Sequence, residues 1–277
     1  SLISKDEAAE VVPDEAIVKT IETIEAEQAV LLSEVIGKTE VALEGARELV
    51  RKGETNLGNL IADAMVKLTG ADRALTNGGG IRASIAAGDI TKGNIIDVLP
   101  FGNYIVAKVV TGADIKAALE NGTSAYPELQ GGFPHVSGIT YMIDTGKPVG
   151  DRIVDIQVKG KPLDLNGSYI LATNDFLAAG GDNYTMFADD AILNEYGGLD
   201  EAVIAYVKEK GIISPKTEGR ITVIDGSVKE PKYYIVKKGD WLRKIARMYN
   251  TTWQKLQELN QLKNPDLIYP NQKILLP

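Results

Sequence analysis

The sequence predicts an α+β protein, a mixed-sheet domain followed by a small βααβ module. Helix-like and strand-like stretches are interspersed without the strict βαβ rhythm of a doubly wound sheet. Charge is uneven as well. Residues 232–277 carry nine Lys/Arg and three Asp/Glu, net +6, which leaves −14 for residues 1–231. Such a break suggests two domains with different surfaces. Between them, residues 225–232 (Asp-Gly-Ser-Val-Lys-Glu-Pro-Lys) are polar and poor in apolar side chains, as a linker is.

The elements follow in order. Pro13-Asp14-Glu15 opens a long amphipathic helix, with proline early and acids near the positive helix end. Ile17, Ile21, Ile24, Leu31 and Val35 fall near one face, and Gly37 stops it. Glu22, Glu25, Glu27 and Glu34 read as a solvated face. Residues 1–37 are therefore taken as a connector helix. Residues 41–50 are irregular and 51–54 form a turn. Thr55-Asn56 caps a helix over 57–68 with an apolar stripe from Leu57 to Leu68, and Gly70 ends it. A short strand, Arg73-Ala74-Leu75-Thr76, runs into Asn77-Gly78-Gly79-Gly80-Ile81-Arg82. Gly88-Asp89-Ile90-Thr91 leads into a short helix that ends before Pro100. Residues 104–110 are rich in β-branched residues and read as a buried strand. A helix over 113–120 closes at Asn121-Gly122. Residues 126–134 are turn-rich, and strands are predicted over 139–143, 153–158, 169–173 and 220–224, with a helix over 199–208. The last 45 residues or so read as strand, helix capped by Gly239-Asp240, helix capped by Thr251-Thr252, and strand.

Composition excludes several chemistries. With no cysteine there is no disulfide, no thiolate nucleophile and no cysteine zinc site. One histidine, His135, cannot build an imidazole-rich metal centre. It lies in Gly-Gly-Phe-Pro-His and reads as a loop residue of structural or incidental role, with Phe133 beside it an outside candidate for an aromatic contact. No run approaches the roughly 18 apolar residues of a membrane helix, so no membrane span is expected. The start at Ser1-Leu2-Ile3-Ser4 looks like a cut, compatible with a removed signal peptide.

Four stretches of residues 1–231 make one set. They are Arg51-Lys52-Gly53-Glu54-Thr55-Asn56-Leu57-Gly58-Asn59-Leu60, the Asn77–Arg82 segment, Leu99-Pro100-Phe101-Gly102-Asn103, and Asn174-Asp175-Phe176-Leu177-Ala178-Ala179-Gly180-Gly181-Asp182. Together they offer guanidinium groups for anions, an amide, two phenylalanines at chain turns and a carboxylate beside Gly-Gly. A nucleotide asks for charge against phosphate, aromatic faces for a base and an acceptor for ribose hydroxyls. Each residue also has a plain reading: Phe101 and Phe176 as core, Arg51 as a surface charge, Asp182 as a turn cap.

In this order and spacing the set resembles the C-terminal, substrate-binding domain of the 5′-nucleotidase/UDP-sugar hydrolase family, over residues 16–225 or so. The resemblance implies that Phe101 and Phe176 sandwich a nucleobase and that Asp182, next to Gly181, accepts from ribose hydroxyls. It also implies that Asn77 supports the base side, that Arg51 and Arg82 reach ribose and phosphate, and that Gly78, Gly79 and Gly80 form the loop beside the ligand. In that family two divalent metal ions held by Asp, His and Asn in an N-terminal metallophosphatase domain do the chemistry. No Asp-x-His, Asn-His-Asp/Glu or Gly-His-x-His occurs here. No catalytic residue, metal ligand or cofactor is therefore expected in this chain, and the chain alone is expected to be inactive. The metallophosphatase domain becomes an expected partner, and nucleic acid is not expected as one.

The C-terminal module resembles LysM, a repeat that binds peptidoglycan and chitin-like N-acetylglucosamine polymers. Tyr234-Ile235-Val236-Lys237-Lys238-Gly239-Asp240-Trp241-Leu242 and residues 264–272 carry the match, with Trp241 where Thr or Ser is usual. The implied glycan contacts are Gly239, Asp240, Trp241 and Leu242 with Asp266, Leu267 and Ile268. The expected organisation is a connector (1–37), a nucleotide-binding domain (38–225), a linker (226–232) and LysM (233–277). The function it implies is the specificity half of an extracellular, cell-wall-associated hydrolase of nucleotides or nucleotide sugars. The alternatives are a stand-alone binding protein and part of a 2′,3′-cyclic-nucleotide phosphodiesterase.

Overall fold

The computed structural model describes residues 12–226 and 233–276, apart from the side chain of Glu27. The expected linker, from residue 227 on, and the first eleven residues of the expected connector lie outside the described residues. The chain divides into two units, residues 1–224 and 225–277.

In the first unit, α1 (Glu15–Leu32) starts where Asp14 accepts from the amides of Ala16 (2.8 Å) and Ile17 (3.2 Å). It ends at Ser33, four residues earlier than the apolar pattern suggested, because Val35 and Ile36 belong to β1 (Val35–Thr39). The stripe of Ile17, Ile21, Ile24 and Leu31 is exposed. Glu34 is not simply solvated: it pairs with Lys92 and with Lys208 (2.6 Å). A single turn, α2 (Arg47–Val50), precedes the 51–54 turn and α3 (Asn56–Thr69). Thr55 caps α3 through the amide of Gly58 (3.1 Å), and Gly70 closes it at φ 67°. β2 (Arg73–Asn77) runs into a 3-10 turn at Gly78–Gly80.

β3 (Gly88–Thr91) and α4 (Lys92–Val98) follow, joined by a reciprocal Thr91–Asn94 cap. β4 (Tyr104–Thr111) enters α5 (Gly112–Gly122) through the same device between Thr111 and Asp114. Next come β5 (Pro134–Ser137), β6 (Ile139–Asp144), β7 (Ile153–Val158) and β8 (Lys161–Pro162), then β9 (Ser168–Asn174) and the turn α6 (Asp175–Ala178). β10 (Ile192–Gly198), α7 (Leu199–Lys210), β11 (Ile212–Ile213) and β12 (Ile221–Ile224) complete the unit.

Three mixed sheets result, as an α+β domain requires: β11-β1-β3, β10-β4-β9-β2-β5 and β12-β6-β7-β8. β2 runs parallel to β9 and antiparallel to β5, with Thr76 opposite His135. One core gathers Leu57, Ile61, Met65, Ile90, Ile95 and Val203, and α3 packs on β2, β5 and α7. A second gathers Leu75, Leu119, Phe133, Tyr141 and Phe187. Phe133 is thus a buried core ring, which rules out the contact role considered for it. Buried charges are hydrogen-bonded: Arg220 pairs with Asp63 through two bonds (2.7 and 2.8 Å), and buried Lys108 donates to the carbonyls of Ala178 (3.2 Å) and Phe187.

The second unit holds β13 (Tyr233–Ile235), α8 (Leu242–Met248), α9 (Trp253–Leu259) and β14 (Lys273–Leu275), with β13 antiparallel to β14. Its core is Val236, Leu242, Ile245, Ala246, Leu256, Ile274 and Leu276. Asp240 does not cap α8. The cap position belongs to Trp241, whose side chain makes no capping bond.

Candidate functional site

β2 and β9 lie side by side, and each ends in an asparagine. Asn174 caps α6 by accepting from the amide of Leu177 (2.8 Å), and its amide nitrogen donates to Asn77 Oδ1 (3.0 Å) and Thr76 Oγ1 (3.2 Å). With its oxygen so engaged, Asn77 turns its nitrogen to Asp182 Oδ2 (2.8 Å). Two buried amides therefore aim one carboxylate. Asp182 itself sits in the left-handed region (φ 51°) after Gly180 (φ 92°), a conformation that side chains rarely adopt. Its carbonyl accepts from Asn121 Nδ2 (3.0 Å), which ties the turn to α5.

The two phenylalanines are exposed, Phe101 at 60% and Phe176 at 44%, so neither is core. Phe176 stands over Gly181, where a Cβ would lie 2.5 Å from the ring. Asn103 Nδ2 donates to Asp175 Oδ1 (2.7 Å), linking the two ring-bearing segments. Arg82 lays its guanidinium 5.6 Å from the centre of the Phe101 ring and donates to the Gly79 carbonyl at 3.4 Å. These residues surround a cleft of about 340 Å³, lined by Arg51, Asn77, Gly79, Gly80, Phe101, Phe176 and Asp182, with Asn103 and Gly131. That size suits a small organic ligand.

Of the residues expected here, Gly78 does not line the cleft. It is buried, its amide donates to the Phe133 carbonyl (2.8 Å), and a Cβ on it would lie 1.9 Å from the Val50 carbonyl. Gly79 approaches Gly131, donating to its carbonyl at 2.6 Å. Gly181 and Arg82 do not line the cleft either: Gly181 lies under the Phe176 ring and Arg82 beside Phe101. Arg51 reaches the cleft with its Nε buried and without a hydrogen-bond partner. Burial, then repulsion from Arg47 and Arg82, lowers the pKa of its guanidinium, and Asp182 acts against both. Asn103 was visible inside the Phe-Gly-Asn stretch, but Gly131, in a turn-rich loop, carried no signal.

A larger open groove of about 540 Å³ lies on the other side of the 51–54 turn, against Leu49, Lys52, Tyr126 and Pro215. Its inward acid, Glu54, is already committed to Asn59 Nδ2 (2.7 Å) and the amide of Glu218 (2.6 Å). Among the described residues, the exposed Phe101 and Phe176 rings and the Arg51 guanidinium without a partner on Nε meet at the smaller cleft, which is the candidate site. Among the described residues no group of three His, Cys, Asp or Glu is placed to hold a metal ion, so their donor set does not fit a two-metal centre. No helix among them is long and apolar enough to cross a membrane.

In the second unit, Gly239 turns at φ 89° and Trp241 is 57% exposed, with Lys244 Nζ 5.6 Å from its ring centre. Asp266 and Leu267 are exposed and Ile268 half-buried. Leu242 is a core residue, so its side chain is not available to a glycan. The Asp240 carboxylate is occupied by Lys244 Nζ (2.7 Å), Tyr234 OH (2.7 Å) and the Lys237 amide (2.9 Å). It holds together the loop before α8.

The first unit thus brings a two-asparagine relay, an exposed ring pair and the Arg51 guanidinium to one cleft, and among the described residues no group is placed to hold a metal ion. Comparison with known proteins supplies its family. Residues 35–189 match the 5′-nucleotidase C-terminal domain and residues 234–277 the LysM domain; the chain belongs to the 5′-nucleotidase family through the first and carries the second after it. The trifunctional nucleotide phosphoesterase YfkN of Bacillus subtilis is 40% identical over 220 residues, covering 76% of this chain and 15% of YfkN. UshA of Escherichia coli is 37% identical over 198 residues, covering 71% of this chain and 33% of UshA. The crystal structure of a 5′-nucleotidase precursor from Thermus thermophilus superposes with a TM-score of 0.70 at 38% identity, over 79% of this chain and 45% of that one. The chain thus spans less than half the length of these relatives.

Proposed function

We propose that the cleft binds a nucleotide, with Phe101 and Phe176 flanking the base, Asp182 accepting from the ribose hydroxyls and Arg51 and Arg82 facing the phosphate. Asn77 acts on the base side and sets the direction of Asp182. Within the whole protein this domain selects the substrate of a phosphate-ester hydrolase, and the hydrolytic metal centre is carried by a domain outside these residues. The second unit holds the protein at a cell wall through N-acetyl sugars, with Trp241 and Leu267 as exposed contacts. The observation that carries the reading is the convergence of two exposed phenylalanine rings, an oriented carboxylate and Arg51 on a single cleft. The names of YfkN and the Thermus protein agree with a nucleotide as ligand.

Two measurements test it. Calorimetric titration of the full chain with adenosine and AMP should give saturable one-to-one binding; no heat with either at millimolar ligand would overturn the cleft assignment. Sedimentation with purified peptidoglycan should retain the full chain and release a chain ending at residue 225. Equal retention of both at moderate salt would remove the wall-binding role.

A further inference from the structure

Arg51 is the cleft residue whose placement is least explained by its own side chain. Its Nε has no hydrogen-bond partner, and two neighbouring guanidinium groups, Arg47 and Arg82, repel it. Asp182 and Glu48 attract it through charge alone, so the hydrogen bonds that hold the residue are those of its main chain. One neighbour of that main chain is Gln130, whose amide donates to the Arg51 carbonyl (3.1 Å). The other is deeper. The carbonyl of Val50, one residue before Arg51, meets His135 Nε2 at 2.8 Å. A carbonyl only accepts, so Nε2 carries a proton and donates, and burial, which lowers the pKa of the ring to about 4, keeps it neutral near pH 7.

The surroundings are built to admit this one contact. His135 is fully buried on β5 with its ring edge-on to Phe133 (5.9 Å). A Cβ at Gly58 would lie 2.0 Å from His135 Nδ1, and one at Gly78 would lie 1.9 Å from the Val50 carbonyl and 3.4 Å from Nε2. Two motif glycines that do not line the cleft thus leave the space the histidine and its acceptor fill. The same histidine faces Thr76 across the β2–β5 ladder, next to Asn77. It stands on β5 beside two cleft-bearing segments, the end of α2 and the glycine turn.

We propose that His135 is a positioning residue for ligand binding, which fixes Arg51 toward the anionic end of the ligand through the Val50 carbonyl. The inference rests on the nucleotide reading of the cleft, but its mechanical part is measurable without any ligand. Glutamine at position 135 retains an amide donor of similar reach, and leucine removes it while keeping the site filled.

The test uses the full chain, with the Arg51 Nε–H resonance assigned by its loss in Arg51→Lys. In His135→Leu the order parameter of that Nε–H should fall, and His135→Gln should restore it. AMP affinity relative to adenosine should drop roughly fivefold or more in His135→Leu, as expected for one lost hydrogen bond, and recover in His135→Gln. The double variant Arg51→Ala/His135→Leu should show the same AMP-to-adenosine ratio as Arg51→Ala alone. An unchanged Arg51 order parameter in a folded His135→Leu overturns the proposal whether or not nucleotide binds. So does a ratio in the double variant that is the product of the two single effects. Failure of the wild type to bind AMP or adenosine would instead overturn the cleft reading, and the resonance measurement would still decide what His135 does to Arg51.

Discussion

Phe176 can stand over the chain only because position 181 has no Cβ; an alanine there would press a methyl carbon to 2.5 Å from the ring. Gly181→Ala should therefore displace the ring and weaken nucleoside binding while leaving the hydrophobic core intact. Phe101→Ala and Phe176→Ala should each cost roughly 1–3 kcal/mol of binding, the worth of one base–aromatic contact, or about 5- to 150-fold in Kd. Both rings are exposed, so the melting temperature should move little. A buried phenylalanine would instead cost about 3–5 kcal/mol of folding stability. Calorimetric titration with adenosine beside a melting curve separates the outcomes, and unchanged affinity with a collapsed melting temperature would defeat the clamp. The rings were legible in the sequence because each sits where the chain turns, away from any periodic apolar run. The Asn174–Asn77–Asp182 relay was not, because it is closed by strand pairing between residues about a hundred positions apart.

Among elements, the loop before α8 depends on one carboxylate. Lys244 first, then Tyr234 and the Lys237 amide, lower the Asp240 pKa to about 2. A depressed carboxylate stabilises the fold above the ordinary aspartate pKa of about 3.9 and loses that contribution as pH falls toward its folded value. The melting temperature of this unit should therefore drop as pH falls from about 4 to about 2. Asp240→Asn should melt lower near neutral pH and vary less across that window; an unaltered pH profile would show that the carboxylate holds nothing. Trp241 presents the opposite balance, since it occupies a cap position without a capping bond. Trp241→Thr should stabilise the unit by about 1 kcal/mol through the cap and weaken glycan binding. A loss of stability would instead mean that the exposed ring packs productively. Periodicity located α3, β4, α5 and β9 but missed others for physical reasons. β5 is four residues long and opens on proline, a demoting signal, yet all four are buried because it closes the sheet beside β2. β10 is mostly exposed, so it lacks an alternating pattern. Val35 continues the apolar spacing of α1, and only pairing with β3 makes it strand.

At the scale of the whole molecule, the two units have separate cores, opposite net charge and no disulfide to couple their unfolding. Two calorimetric transitions are expected, and removing residues 226–277 should abolish one and leave the midpoint of the other in place. The same separation bears on chemistry. Phosphate-ester hydrolysis of the kind the relatives' names describe needs an activated water, which a metal ion commonly supplies by lowering its pKa. The chain has one imidazole, and it is fully buried with Nε2 engaged at Val50. Burial lowers its pKa to about 4, so it stays neutral near pH 7 and has no path to a bound phosphate. Asp182, the carboxylate among the residues that line the cleft, is held by Asn77. The full chain should therefore bind AMP without releasing phosphate, even with millimolar magnesium, manganese or zinc. Steady release that scales with protein concentration and stops on chelation would place a hydrolytic centre within these residues and overturn the division of labour proposed above.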